Sequence, residues 1–345
     1  MWNIIGHEAA VSFLQRGLEK NTTAHAYLFV GPAHIGKMTL AINLAQAVNC
    51  NSNERPCGIC DSCRRISESK HADVQTIKLE QGDEAGEITG KTRISVEQVD
   101  QILHSVNLPP FEGRYKVFII DGLEFLSIAA ANRMLKTLEE PISSVIFVLL
   151  TANEAMVPAT IVSRCQRIEL FPVAFSTIDK ALVKRWKVEP EKARLLSRLS
   201  AGCPGWAVTM IQNDALLQQR NEWLDEWLEI MENDMDRRFT FVAKMTEKYF
   251  QNRETVQQRL VLLLGWWHDV LLLKVGNTEA IINVDRIEKL KETAVTCNLM
   301  QIRHFISSLE STISQLHQNV NPQLALEFLM LTVPERGKVK KGTIG

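Results

Sequence analysis

Tyr27-Leu28-Phe29-Val30-Gly31-Pro32-Ala33-His34-Ile35-Gly36-Lys37-Met38 decides how this chain is read. A short apolar run enters a G-x-x-x-x-G-K loop, and Met38 to Val48 continues with the apolar spacing of a helix. Strand, loop and helix in that order let backbone N–H groups and a helix N-terminus cradle a phosphate. The candidate phosphate-binding residues are therefore Gly31, Gly36 and Lys37. The next position should carry a hydroxyl for Mg²⁺, but it is Met38, whose thioether a hard cation does not favour. Thr39 does not substitute, because one helical step turns it about 100° away.

Outward from the loop, Lys116-Val117-Phe118-Ile119-Ile120-Asp121 and Ser144 to Thr151 read as further buried strands. Between them, Ser127 to Glu140 reads as a helix stopped by Pro141. Buried strands alternating with helices predict a parallel α/β sheet. Asp121 ends its strand as a candidate site carboxylate, while Gly122 stands where an ATPase of this type carries the water-activating acid. Glu124 lies too far along to be an obvious replacement. The loop is thus expected to be inherited structure in a chain that does not hydrolyse ATP, and ATP retained without hydrolysis stays open.

Beyond about Phe171 helical patterns take over, with amphipathic segments around 223–231, 239–250, 256–275, 287–296 and 300–316. Boundaries near 170 and 215 divide the chain into an α/β domain (1–170), a short helical domain (171–215), a longer helical domain (216–336) and a Lys/Gly-rich tail (337–345) expected to be flexible. No internal repeat is visible.

A chain of 345 residues with 46% hydrophobic content can bury more than one core. Lys+Arg 39 against Asp+Glu 40 gives a net charge of -1, which excludes a globally basic nucleic-acid binder. No leader pattern opens the chain and no apolar run is long enough to span a bilayer, so a cytoplasmic protein without membrane contact is expected. Four of the seven cysteines, Cys50, Cys57, Cys60 and Cys63, fall within fourteen residues, with Pro56 and Gly58 to turn the chain. Four thiolates at this spacing predict a closed, structural Zn²⁺ site with no open position for catalysis.

Five blocks in order carry a resemblance: His25-Ala-Tyr-Leu-Phe with the glycine loop, the four-cysteine insert, Asn132 to Pro141, Thr160-Ile-Val-Ser-Arg-Cys-Gln-Arg167, and Asn319 to Glu327. Together they resemble the delta-prime family of clamp-loader subunits of bacterial DNA polymerase III, which are AAA+ proteins, along nearly the whole chain. The resemblance implies an AAA+ P-loop domain with a parallel sheet, followed by an all-α lid and an all-α collar that holds five subunits in a ring. The implied partners are gamma/tau and delta subunits and, through the complex, the sliding clamp and primed DNA; polymerase activity belongs to the complex. The sister gamma/tau ATPases share several blocks but usually keep Lys-Thr in the loop and an acidic pair after the second strand. Met38 and Gly122 favour delta-prime, as does Trp206, which follows Pro204-Gly205 where the ATPases place a nucleotide-sensing arginine. The alternative is an ATP-hydrolysing gamma-type motor using Lys37 and Asp121.

The resemblance also places a trans-acting arginine in Ser163-Arg164-Cys165. Arg164 is the candidate arginine finger for a neighbour's ATP, with Arg167 as the nearby alternative. Cys165 reads as a packing residue, His25 and His34 are assigned no catalysis, and Trp266-Trp267-His268 read as core or subunit contact.

Overall fold

The computed structural model describes residues 2–78, 94–318 and 320–334; the tail from 337 lies outside them. Five strands, β1 (Ala26–Val30), β2 (Val74–Ile77), β3 (Lys116–Asp121), β4 (Val145–Thr151) and β5 (Gln166–Glu169), form one parallel sheet in the order β2-β3-β4-β1-β5. The expected α/β domain with a parallel sheet, followed by helices, is what the chain forms.

The helices are α1 (Glu8–Glu19), α2 (Lys37–Asn49), α3 (Asp61–Ser67), α4 (Val96–Val106), α5 (Ile128–Glu139), α6 (Ala159–Val162), α7 (Phe175–Trp186), α8 (Pro190–Leu199), α9 (Pro204–Gln212), α10 (Asp214–Glu232), α11 (Met235–Gln251), α12 (Arg253–Lys274), α13 (Ile287–Thr296), α14 (Leu299–His317) and α15 (Pro322–Leu331). The chain divides into two compact units, one of residues 1–187 with 202–206, the other of residues 188–201 with 207–345.

In the first unit the central strands are apolar on both faces because helices cover both. Leu28, Phe118, Ile120, Phe147 and Leu149 face one core with Val99 and Ile102 of α4 and Met134 and Leu138 of α5. Their alternates, Phe29, Val117, Ile119, Val148 and Leu150, face a second core with Leu14 of α1 and Leu40 and Leu44 of α2. Phe118 and Phe147 are register partners and stack at 5.5 Å, a pair worth about 0.5–1.5 kcal/mol beyond its buried area. The carboxyl ends of β1, β3 and β4 lie side by side, which brings Gly31, Asp121 and Thr151 to one edge, where ligands of open α/β sheets bind.

The second unit is helical, and its core is aromatic. Trp227 and Trp267 pack on Phe305 at 5.9 and 4.9 Å, and Trp266 is fully buried, whereas His268 is exposed. Buried charge is matched in the same unit: Arg220 forks onto Asp285, and Asp269 accepts from the Asn283 backbone and side-chain amides at 2.7 Å each. No described helix is long and apolar enough to cross a membrane.

Candidate functional site

Three polar sites lie in the first unit: the glycine loop, the Arg164 surface and the cysteine insert. The loop runs from the end of β1 into α2, and its glycines are required by close approach. A Cβ on Gly31 would lie 2.6 Å from the Leu170 carbonyl oxygen, and Gly36 takes φ 113° at the helix N-cap. The lysine does not project outward. Lys37 is buried and its Nζ donates to the loop's own carbonyls, Gly31 at 2.6 Å and Pro32 at 2.9 Å. Burial pushes its pKa down, against the opposing pull of Glu124 and Asp121. The loop is also braced from outside: Gly205 N–H donates to the His34 carbonyl at 2.9 Å, His7 Nε2 meets the Ile35 carbonyl at 3.0 Å, and Asn3 N–H donates to Asn43 of α2. His34 holds φ 60°, and its carbonyl sits so near Gly205 that a Cβ there would come within 2.7 Å.

Met38, which stands where a Mg²⁺-binding hydroxyl is needed, is half-buried against the core beneath α2, and Thr39 is exposed. Asp121 ends β3 with its carboxyl raised by burial, while Lys37 and Lys78 pull the other way. Gly122 takes φ 82°, a left-handed turn that folds Leu123–Phe125 back, so the charge of Glu124 acts on both Lys37 and Asp121. The two Glu124 oxygens accept from Thr151 Oγ1 at 2.7 Å and Ala152 N–H at 3.1 Å. Only knowledge of the turn after Asp121 could have placed Glu124 there. Trp206 is half-buried in the first turn of α9.

Arg164 follows α6 and reaches the C-terminal end of α5. Its Nη2 donates to Glu139 Oε1 at 2.5 Å, and its Nη1 donates to the Thr160 carbonyl at 2.8 Å and Ser163 Oγ at 3.2 Å. The side chain stays one-third exposed beside an open recess of about 590 Å³ lined by His25, Leu138, Glu139, Ser163 and Arg164. Arg167 is differently placed: it is clamped between Glu154 at 2.7 Å and Glu169 at 2.8 Å. Cys165 packs against the core, and burial pushes its thiol up to about 12, which makes it inert.

The four cysteines of the insert converge. Their sulfurs lie within 4.8 Å of one another, with Cys50–Cys60 and Cys57–Cys63 each 4.0 Å apart. Tetrahedral thiolates about 2.3 Å from one ion would be about 3.8 Å apart, so the donor set fits a metal ion with little movement. Backbone N–H groups of Ile59 and Cys60 lower the Cys57 thiol to about 6, whereas burial raises that of Cys63. The insert is tied to α2 and to the segment before β3: Gln46 donates to the Cys63 carbonyl at 2.9 Å, and Arg114 to that of Cys50 at 2.9 Å. Nearby, Ser62 Oγ lies 3.2 Å from His71 Nε2, but no nucleophile results. Asp73 N–H donates to His71 Nδ1 at 3.2 Å, so Nε2 carries the proton and points it at the serine.

Comparison with known proteins follows these features along the chain. A family model described as DNA polymerase III, delta subunit, matches residues 6–174, and one described as DNA polymerase III, delta subunit, C terminal, matches residues 214–334. The chain is similar to DNA polymerase III subunit delta' of Bacillus subtilis, 27% identical over 326 residues, covering 94% of this chain and 95% of that one. It is 34% identical over 207 residues to DNA polymerase III subunit tau of Escherichia coli, covering 58% of this chain but 30% of tau. Among solved structures, a DNA polymerase III gamma-subunit-related protein of Thermotoga maritima aligns over 94% of this chain and 99% of its own, with 17% identity and a TM-score of 0.43.

Proposed function

This chain belongs to the delta' family of DNA polymerase III subunits, and from that membership we propose that it is a clamp-loader subunit that lends an arginine to a neighbour's ATP. In this reading it stacks beside a gamma/tau subunit, with delta as a further partner in a five-membered ring, and helps load the sliding clamp onto primed DNA in the cytoplasm. Residues 1–170 form the AAA+ domain, 171–215 the lid and 216–336 the collar.

One observation carries the reading: the chain turns its loop lysine inward and keeps Arg164 at the surface. Lys37 is bonded to Gly31 and Pro32, with Met38 where a hydroxyl is needed, whereas Arg164 borders an open recess. A guanidinium presented there can neutralise the charge that develops on a transferred phosphoryl group. Glu139, Ser163 and the Thr160 carbonyl hold it on the surface, and Cys165 anchors the turn that carries it.

Turnover of the loader reconstituted with gamma/tau and delta tests this directly. Arg164→Ala should lower ATP hydrolysis, and Lys37→Ala should leave it unchanged. Mg²⁺-dependent turnover by the isolated chain that vanishes with Lys37→Ala would overturn the reading. It would favour instead a gamma-type motor using Lys37 and Asp121, on both of which the charge of Glu124 acts.

The cysteine insert supports a structural Zn²⁺ held by Cys50, Cys57, Cys60 and Cys63, since all four donors are protein sulfurs and none is left for a substrate. One equivalent of zinc in the purified chain, lost in Cys60→Ser with loader turnover largely retained, is the expected result. Full-length protein without bound metal would refute it.

A further inference from the structure

The counter-ion of Arg164 stands in an electrostatically poor position. Glu139 is the last residue of α5 and is followed by Glu140, so two acids sit at a helix C-terminus, where the macrodipole is already negative and cations are preferred. His25 Nε2 lies 3.1 Å from the Leu138 carbonyl there, and positive charge comes from Lys136 in the last turn and from Arg164, which pairs with Glu139. Both terminal nitrogens of the guanidinium are thereby engaged within the chain, Nη1 on Thr160 and Ser163 and Nη2 on Glu139. A phosphate arriving through the open side of the recess onto the Nε–Nη2 edge would meet the carboxylate at Nη2. The carboxylate and the phosphate would compete for the same donor edge.

We propose that Glu139 is a positioning residue for Arg164, holding the guanidinium at the mouth of the recess until a phosphate group of a partner-bound nucleotide displaces the carboxylate. The inference rests on the reading that Arg164 acts in trans. The exchange is anion for anion. A phosphate group carries more charge than a carboxylate, so it is the stronger acceptor for the shared donor once it is present. In the free chain the same pair keeps a surface arginine from wandering among its rotamers.

The test uses the full-length chain and the gamma/tau subunit of the same bacterium loaded with a non-hydrolysable ATP analogue. Association is measured with and without nucleotide, and turnover is measured in the reconstituted loader. Glu139→Gln removes the competing charge and should strengthen the nucleotide-dependent part of association roughly two- to five-fold, the scale of a solvent-exposed ion pair. In turnover the same change should lower KM for ATP with kcat little altered. The gain should disappear when Glu139→Gln is combined with Arg164→Ala, a dependence that a merely structural role of Glu139 would not produce. Unchanged or weaker nucleotide-dependent association for Glu139→Gln, with Arg164→Ala still damaging, would overturn this proposal and leave the trans-acting arginine standing. If Arg164→Ala alone changes neither association nor turnover, the trans-acting reading itself falls, and the role of Glu139 falls with it.

Discussion

Lys37 and Arg164 are both cations satisfied by oxygen atoms of their own chain, yet the two sites differ in every respect that governs availability. Lys37 is buried and bonded to two neutral carbonyls inside a loop that Gly205 closes from outside. Arg164 is one-third exposed and bonded to a charged acid at the rim of an open recess. Freeing Lys37 means leaving the buried Gly31 carbonyl unpaired, which costs about 1–3 kcal/mol. Freeing Arg164 means exchanging one exposed anion for another, which costs little. A cation stored among carbonyls serves the fold, whereas one stored on a displaceable carboxylate remains available to an incoming phosphate.

The hardest blow to this contrast would come from Arg164→Ala. At the single ATP site it serves, hydrolysis should fall by a factor on the order of 10³, and total loader turnover by the share that site contributes. Arg164→Lys should not restore it, because an ammonium keeps the charge but lacks the planar fork; single-turnover measurements on the assembled loader decide both.

Next in size is Gly205→Ala. The added methyl would lie 2.7 Å from the His34 carbonyl oxygen, so the brace must move. Destabilisation of about 1–3 kcal/mol is expected in denaturant melts, together with faster amide exchange across residues 31–37. A silent Gly205→Ala would mean that the loop is not held shut from this side.

A smaller effect is expected from Lys37→Met, and it depends on pH. Burial lowers the Lys37 pKa below its unfolded value, so between the two values the unfolded chain binds more protons than the folded one. Stability attributable to this group therefore rises as pH climbs through the lowered pKa and levels off near the unfolded value of about 10.4. Lys37→Met should abolish that rise. The difference in unfolding free energy between the two proteins, followed from neutral to alkaline pH, should drift in that direction. The smallest effect is none at all: Lys37→Ala should leave the turnover of the assembled loader unchanged.

Local pattern was enough for much of this molecule. The strand before the loop, the α2 helix, β3, β4 and the Ser127-capped α5 fall within a residue or two of their periodic signals, because each buries a regular apolar face. Among the C-terminal helices, α13 and α14 were legible to within a residue, whereas the expected 223–231 covers only part of α10 and α15 was not expected. Both edge strands escaped: β2 is half-exposed along its length and β5 buries only Ile168, so neither leaves an apolar run to read. The cysteine spacing announced a cluster, and the sulfurs do converge.

What the sequence alone determined is the set of chemical groups and the elements that carry them: a glycine loop lacking its hydroxyl, an arginine after a short helix, and four thiols in one insert. Tertiary structure decided which group meets which. A left-handed turn at Gly122 led Glu124 to Thr151, the Gly205 amide closed on His34, and the end of α5 delivered Glu139 to Arg164 across the surface. Those pairings depend on turn geometry and strand register, which are set by the packing of the whole unit and leave no periodic trace in the residues themselves.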